Sequence, residues 1–261
     1  MGLATAGWVD VDDSARGLRG DRPALLRQTA VIAEAFERAV RARLGQGAMS
    51  ALSLSQLCEA CADVTSLKAS IVLVTEAGRH QAALAASGGA AAVEELQFTL
   101  GEGPGVDAHG EGRAVLADDL AVYASRWVHF VPAARALGVQ AAFAFPLWMG
   151  AIRAGVLSLY ADRVDPLERG QLGELAILAG LVTDAVLVMQ SGAVVEELAW
   201  SLADAADHRA VVHQATGMVA VQLACSAQDA LVRIRAKAFA DGVPVDDVAR
   251  RVVERRLRFE R

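Results

Sequence analysis

Ten of the chain's 25 basic residues crowd into residues 208–261, where only six acidic residues oppose them, whereas residues 1–207 hold fifteen bases against 25 acids. A basic tail on an acidic body fits a polyanionic partner for the tail alone. Within the tail, Arg251, Arg255 and Arg258 fall at i, i+4 and i+7, one stripe of a helix, and Arg233 and Lys237 form a second pair beside Arg235. A solvated face has the same spacing, so the stripes alone do not name a ligand. Arg209 is sharper. It occupies the seam position after Ala205, where a coiled coil wants an apolar residue, so it marks either the splaying of two helices or a surface held for an anion. Ala215 and Gly217 leave a bare strip of backbone that admits a neighbouring helix, the better fit for Gly217, or an unstacked base.

Other constellations are weaker. Cys58-Glu-Ala-Cys61 has the spacing of a redox or zinc pair, yet it lies mid-helix with no second pair, and Cys225 is remote; two small apolar residues on a buried face is the plainer reading. Gly101-x-Gly103-x-Gly105 lacks the lysine of a phosphate loop and loses a backbone donor at Pro104, so a tight turn on a pocket rim is expected. His109, His129, His208 and His213 form no ligand or triad pattern. No metal site, catalytic residue or cofactor is expected. Trp127, Phe143, Phe145, Trp148 and Tyr160 read as core, with lining of a small-molecule pocket as the alternative.

The elements that must position these residues follow from periodicity. Asp21-Arg22-Pro23 opens a helix with Ala33, Phe36, Val40 and Leu44 on one stripe, and Leu52 to Val64 gives a second helix. Strands are expected at 69–75, 80–87, 114–117, 139–148 and 152–160, the last two joined as a hairpin through Gly150. Helices are expected at 90–98 and 126–137, a loop at 101–105, and a long helix capped by Asp165-Pro166. The order predicts an α+β fold, an antiparallel sheet with helices at one face. Leu175, Leu178, Val182, Ala185 and Met189 alternate steps of three and four, and this stripe either packs on its own sheet or pairs two chains. After Ser191-Gly192 the pattern resumes in another phase at Val195, Leu198, Leu202 and Ala205, where a two-chain coiled coil is favoured. Beyond it, Ser226 to Asp229 has the spacing of a capping box, and Asp241-Gly242-Val243-Pro244 stops one helix and starts the next, giving a three-helix all-α module.

The order Arg209, Gln214-Ala215, Gly217, an apolar run, Cys225-Ser226, Ala230, Arg235, Val248-Ala249 and Val252-Val253 resembles the ANTAR domain over roughly residues 195–258. Thr216 stands where that family usually has a lysine, a departure that removes one cation from any phosphate contact. Upstream, Leu100-Gly-Glu-Gly-Pro104, Val106-Asp107-Ala108, Asp118-Asp119-Leu120, Arg126-Trp127, Phe143-Ala-Phe-Pro-Leu147, Gly155-Val-Leu157 and Tyr160 resemble a GAF domain across about 50–188. Sensor–ANTAR proteins of this kind often carry a cysteine after the Gly-Pro pair; Gly105 stands there instead.

The two resemblances imply a GAF–ANTAR regulator. Its parts would be a polar leader (1–20), a GAF-like sensor domain with flanking helices (21–190), a coiled-coil connector (191–207) and an ANTAR-like three-helix RNA-binding domain (208–261). The implied function is signal-responsive antitermination: the GAF domain senses a small ligand or state, and a homodimer grips paired RNA hairpins in a nascent leader transcript. RNA contacts are expected from Arg209, Gln214, Ala215, Thr216, Gly217, Arg233, Arg235, Lys237, Arg251 and Arg255. Two alternatives stay open: a GAF-type sensor or redox protein whose tail only dimerises, and a DNA-binding regulator, the latter opposed by Asp246 and Asp247 at the start of the would-be recognition helix. No apolar run is expected to span a membrane, because Thr183 and Asp184 interrupt Leu175 to Met189, and a cytoplasmic, reducing setting is expected from three cysteines without disulfide spacing.

Overall fold

The computed structural model describes residues 22–45, 52–74, 81–150, 152–192, 211–212 and 214–260. Its first helix, α1 (Arg22–Leu44), lays Phe36 and Val40 against the core. The second, α2 (Leu54–Thr65), starts at a capping box in which the Gln56 amide donates to Ser53 Oγ (3.2 Å) and the Ser53 amide donates to Gln56 Oε1 (2.9 Å). Then come β1 (Lys68–Val74) and β2 (Gln81–Ala86), paired antiparallel.

The middle of the chain builds α3 (Ala90–Leu100), α4 (Pro104–Glu111), β3 (Val115–Ala117) and α5 (Phe130–Ala136). Two long strands, β4 (Ala141–Met149) and β5 (Ile152–Ala161), close the sheet in the order β2-β1-β5-β4-β3, with all four pairings antiparallel. Gly150 suits their turn, because its φ of +63° is a left-handed conformation that glycine adopts without the strain a Cβ brings. Gly155 answers a different demand: a Cβ there would sit 2.1 Å from the Val72 carbonyl oxygen, so β1 and β5 approach only because this residue has none.

Strand alternation sorts side chains onto two faces, and both are covered by helices, not one as the element order suggested. Ile71, Phe143, Phe145, Leu157 and Leu159 pack beneath α1, α2 and the long α6 (Arg169–Gly192). Ala142, Ala144, Val156 and Tyr160 face α3, α4 and α5 with Val93, Ala108, Trp127 and Phe130. Leu175, Leu178, Val182, Ala185 and Met189 are all in the first of these cores, so that stripe packs on its own sheet. The seam residues Val195, Leu198, Leu202 and Ala205 lie outside the described residues.

Three local expectations change. Pro104 starts α4 inside the expected glycine loop, because proline at the first turn gives up an amide that has no partner there anyway. The long helix begins at Arg169, not at Asp165-Pro166, with the Glu168 amide donating to Gln171 Oε1 at 2.9 Å. And Gly170–Met189, despite Thr183 and Asp184, has a mean hydropathy of 1.9 over 20 residues, apolar enough by length and composition to cross a bilayer; nearly half of it is buried in the protein, so core packing accounts for that composition.

The C-terminal part is helical at 211–212 and 214–223 (α7), then α8 (Ala227–Asp241) and α9 (Val245–Val253). Ser226 caps α8 by accepting from the Asp229 amide (3.1 Å), and Gly242 ends it at φ +66°. Val212, Ala215, Val219, Ile234, Ala238, Val245, Val248 and Val252 are buried together as a third core.

Candidate nucleic-acid interface

In the C-terminal helices the expected contact residues separate by exposure. Gln214 and Gly217 face solvent, and a Cβ at Gly217 would meet nothing within 4 Å among the described residues. Ala215 is buried in the core. Thr216 is buried too and turns its hydroxyl back onto its own helix, donating to the Val212 carbonyl at 2.7 Å. Arg209 lies outside the described residues.

Of the cations, Arg233 and Arg255 are exposed and carry no ion pair among the described residues. Arg233 also borders a cleft of about 440 Å³ with Leu223, Cys225, Asp229, Val232 and Glu260. Lys237 and Arg251 converge on one carboxylate, Asp241, at 2.5 and 3.1 Å. Lys237 beside it holds the Asp241 carboxyl below the usual carboxylate range, with Arg251 adding to the effect. The stripe expected from Arg251 through Arg258 does not form: α9 ends at Val253, and Arg255 adopts a left-handed backbone (φ +61°), so Arg255 and Arg258 lie past the helix end.

Arg235 is unlike the others. Its guanidinium stacks over the Phe98 ring of α3 (5.4 Å to the centroid), and its Nε is buried without a hydrogen-bond partner among the described residues. Burial lowers its pKa from the ordinary arginine value.

The five aromatics do not line one pocket. Phe143 and Phe145 belong to the core beneath α6, Trp127 and Tyr160 to the opposite face, and Trp148 is 43% exposed. Phe145 and Trp148 share a cleft, about 550 Å³, bordered by Gly112, Arg113, Ala176, Thr183 and Asp184. Trp127 is locked in place: its Nε1 donates to Asp107 Oδ2 (2.9 Å), which also accepts from Arg126 Nε (2.7 Å). Glu102 Oε1 accepts from the His129 and Phe130 amides, both at 2.7 Å, and so caps α5.

A buried polar network not expected from the sequence lies on that second face. Glu94 accepts from Ser70 Oγ at 2.5 Å, from the Tyr160 hydroxyl, and from Gln97 Nε2 at 3.1 Å. Gln97 Nε2 also reaches the Tyr160 oxygen (2.9 Å), while Gln97 Oε1 accepts from the Gly105 amide (2.7 Å). Ser158 Oγ is buried beside this group, without a hydrogen bond of ordinary geometry among the described residues. Burial pushes the Glu94 carboxyl upward, outweighing the donors that favour its ionised form, and it raises the Tyr160 phenol too. The available signal was polar residues on a helix's apolar stripe: Ala90, Val93, Glu94 and Gln97 fall at i, i+3, i+4 and i+7. Gly105 completes the network, since a Cβ there would lie 3.1 Å from Gln97 Nε2 and 3.2 Å from Ser158 Oγ.

Cys58 and Cys61 are fully buried. Burial pushes the Cys58 thiol up to about 12 and the Cys61 thiol further still, and Cys58 Sγ donates to the Ala69 carbonyl at 3.0 Å. Thiols held protonated in a core are neither nucleophiles nor metal ligands.

A search of curated protein sequences returns no match for this chain. Among solved structures, the GAF domain of an Acinetobacter phosphoenolpyruvate-protein phosphotransferase aligns at 13% identity and a TM-score of 0.43, over 60% of this chain and 93% of that one. The free methionine-R-sulfoxide reductase of Neisseria meningitidis, solved with its substrate, aligns at 12% identity and a TM-score of 0.45, over 63% and 93%. Residues 201–253 match the ANTAR domain family, so the helices behind the sheet domain are an ANTAR domain, the RNA-binding module of antitermination regulators.

Proposed function

We propose that this chain is a signal-responsive transcription antitermination regulator, acting as a cytoplasmic homodimer whose ANTAR domains grip paired hairpins in a nascent leader transcript. The observation that carries the reading is the ANTAR match at residues 201–253. Support comes from the surface of that module, where Arg233, Arg255, Gln214 and Gly217 are exposed around an apolar three-helix core. Unpaired arginines suit phosphates, and a module with few exposed aromatics suits recognition of folded RNA by shape. The sheet domain, GAF-like in its sequence motifs, is the sensing part in this reading, and its buried Glu94–Tyr160–Gln97 network is where a small ligand or a change of state would be read. The redox alternative has little support from Cys58 and Cys61, both buried and protonated.

Two ANTAR domains acting together gain from effective concentration, so a two-hairpin RNA should bind much more tightly than either hairpin alone, by roughly 100-fold or more. Filter binding of a two-hairpin RNA and its separated hairpins checks this. Equal affinity for all three would count against a paired grip.

A further inference from the structure

The surface on which α8 rests belongs to the sheet domain. Phe98, near the end of α3, packs into the C-terminal core and into neither core of the sheet domain. Arg235 lies across its ring, and a Cβ at Gly101 would come within 2.7 Å of Arg235 Nη1. A second contact sits beside it, the His129 ring against Phe239 at 4.8 Å between centroids.

This contact is poorly satisfied. Among the described residues no carboxylate pairs with Arg235 and its Nε has no acceptor, so the docked form holds a partly desolvated cation against a ring and a glycine. A buried cation without an anion is costly, and such an interface opens more readily than one with its charges matched. An RNA phosphate would supply what the docked form lacks.

The platform is tied to the buried polar network. The Gln97 carbonyl accepts from the Gly101 amide (2.8 Å), while the Gln97 side chain holds Gly105 and contacts Tyr160 and Glu94. Gln97 therefore joins the buried polar network to Gly101, the residue on which Arg235 rests.

We infer that docking of α8 on Phe98, Gly101 and His129 is an autoinhibitory contact that withholds Arg235 from RNA, and that release of this contact is the switch to the binding-competent form. The inference rests on the RNA reading above. If most of the chain is docked, apparent affinity is reduced by the competent fraction, so undocking should tighten RNA binding by about tenfold.

The test uses the full chain and a fluorescein-labelled two-hairpin RNA, with amide hydrogen exchange of residues 98–101 and 230–240 as an RNA-independent readout of docking. Phe98→Lys opposes Arg235 and should raise exchange and tighten binding about tenfold. Phe98→Glu pairs with Arg235 and should preserve protection without tightening. Val122→Lys, at a position 68% exposed, adds the same charge away from the contact and corrects for simple attraction. His129→Ala, at an exposed position, should move both readouts in the direction of Phe98→Lys by less. Faster exchange with RNA affinity no better than Val122→Lys would overturn the inference, as would unchanged exchange in both Phe98→Lys and His129→Ala. Absence of RNA binding by every variant would instead overturn the RNA reading, and this inference with it.

Discussion

The two faces of the sheet are built from the same strands and do different things. Beneath α6 the buried residues are Ile71, Phe143, Phe145, Leu157 and Leu159, with the two inert thiols among them. Beneath α3 to α5 the same strands supply Ser70 and Tyr160, which meet Glu94 and Gln97, with Ser158 buried beside them. One face is a dry core whose worth is stability. The other buries a carboxyl at a cost and connects it, through Gln97, to the loop under the ANTAR domain. Buried polar groups kept where an apolar residue would be cheaper mark the face on which function is the better explanation.

The largest effect should come from the apolar face. Phe143→Ala removes a side chain with no exposed surface and should cost about 3–5 kcal/mol, read by denaturant unfolding. RNA affinity of the fraction that remains folded should not change.

A smaller effect, with a pH signature, belongs to the polar face. The Glu94 carboxyl is raised in the folded chain, so the folded form holds a proton that the unfolded chain releases near pH ~4.3. Stability from this group is full below that pH and falls as pH rises towards the folded value. Glu94→Gln should flatten this slope in thermal melts run from acid to neutral pH. An unaltered slope would show that the carboxyl is not the group that titrates.

The smallest effect should be at the cysteines. With Cys58 held near 12, thiol reagents should modify Cys225 first and leave Cys58 and Cys61 unreacted until the chain unfolds. Rapid labelling of three thiols in the native chain would break the contrast between the faces.

Much of this architecture was legible. The apolar runs at 139–148 and 152–160 on either side of Gly150 announced the central hairpin, Ser226 and Gly242 announced the ends of α8, and the order of small and basic residues in the tail announced the ANTAR domain. The rest was hidden for physical reasons. Pro104 reads as a loop residue among glycines because nothing local shows that its missing amide falls at a helix start. Glu94 shares a stripe with Ala90, Val93 and Gln97, but only the sheet that covers it shows which donors its carboxyl meets. The Arg251–Arg258 stripe extrapolated a helix that stops at Val253, and the burial of Arg235 comes from α3, more than a hundred residues away in sequence, so no spacing within the tail could announce it.

Competition distinguishes recognition of folded RNA by the ANTAR module from attraction to charge. A labelled two-hairpin RNA bound to the full chain is challenged with unlabelled copies of itself or with duplex DNA of equal charge, at two salt concentrations. The RNA should displace the label and the DNA should do so little, with affinity falling steeply as salt rises. Equal displacement by both would contradict it, because charge alone would then explain the binding.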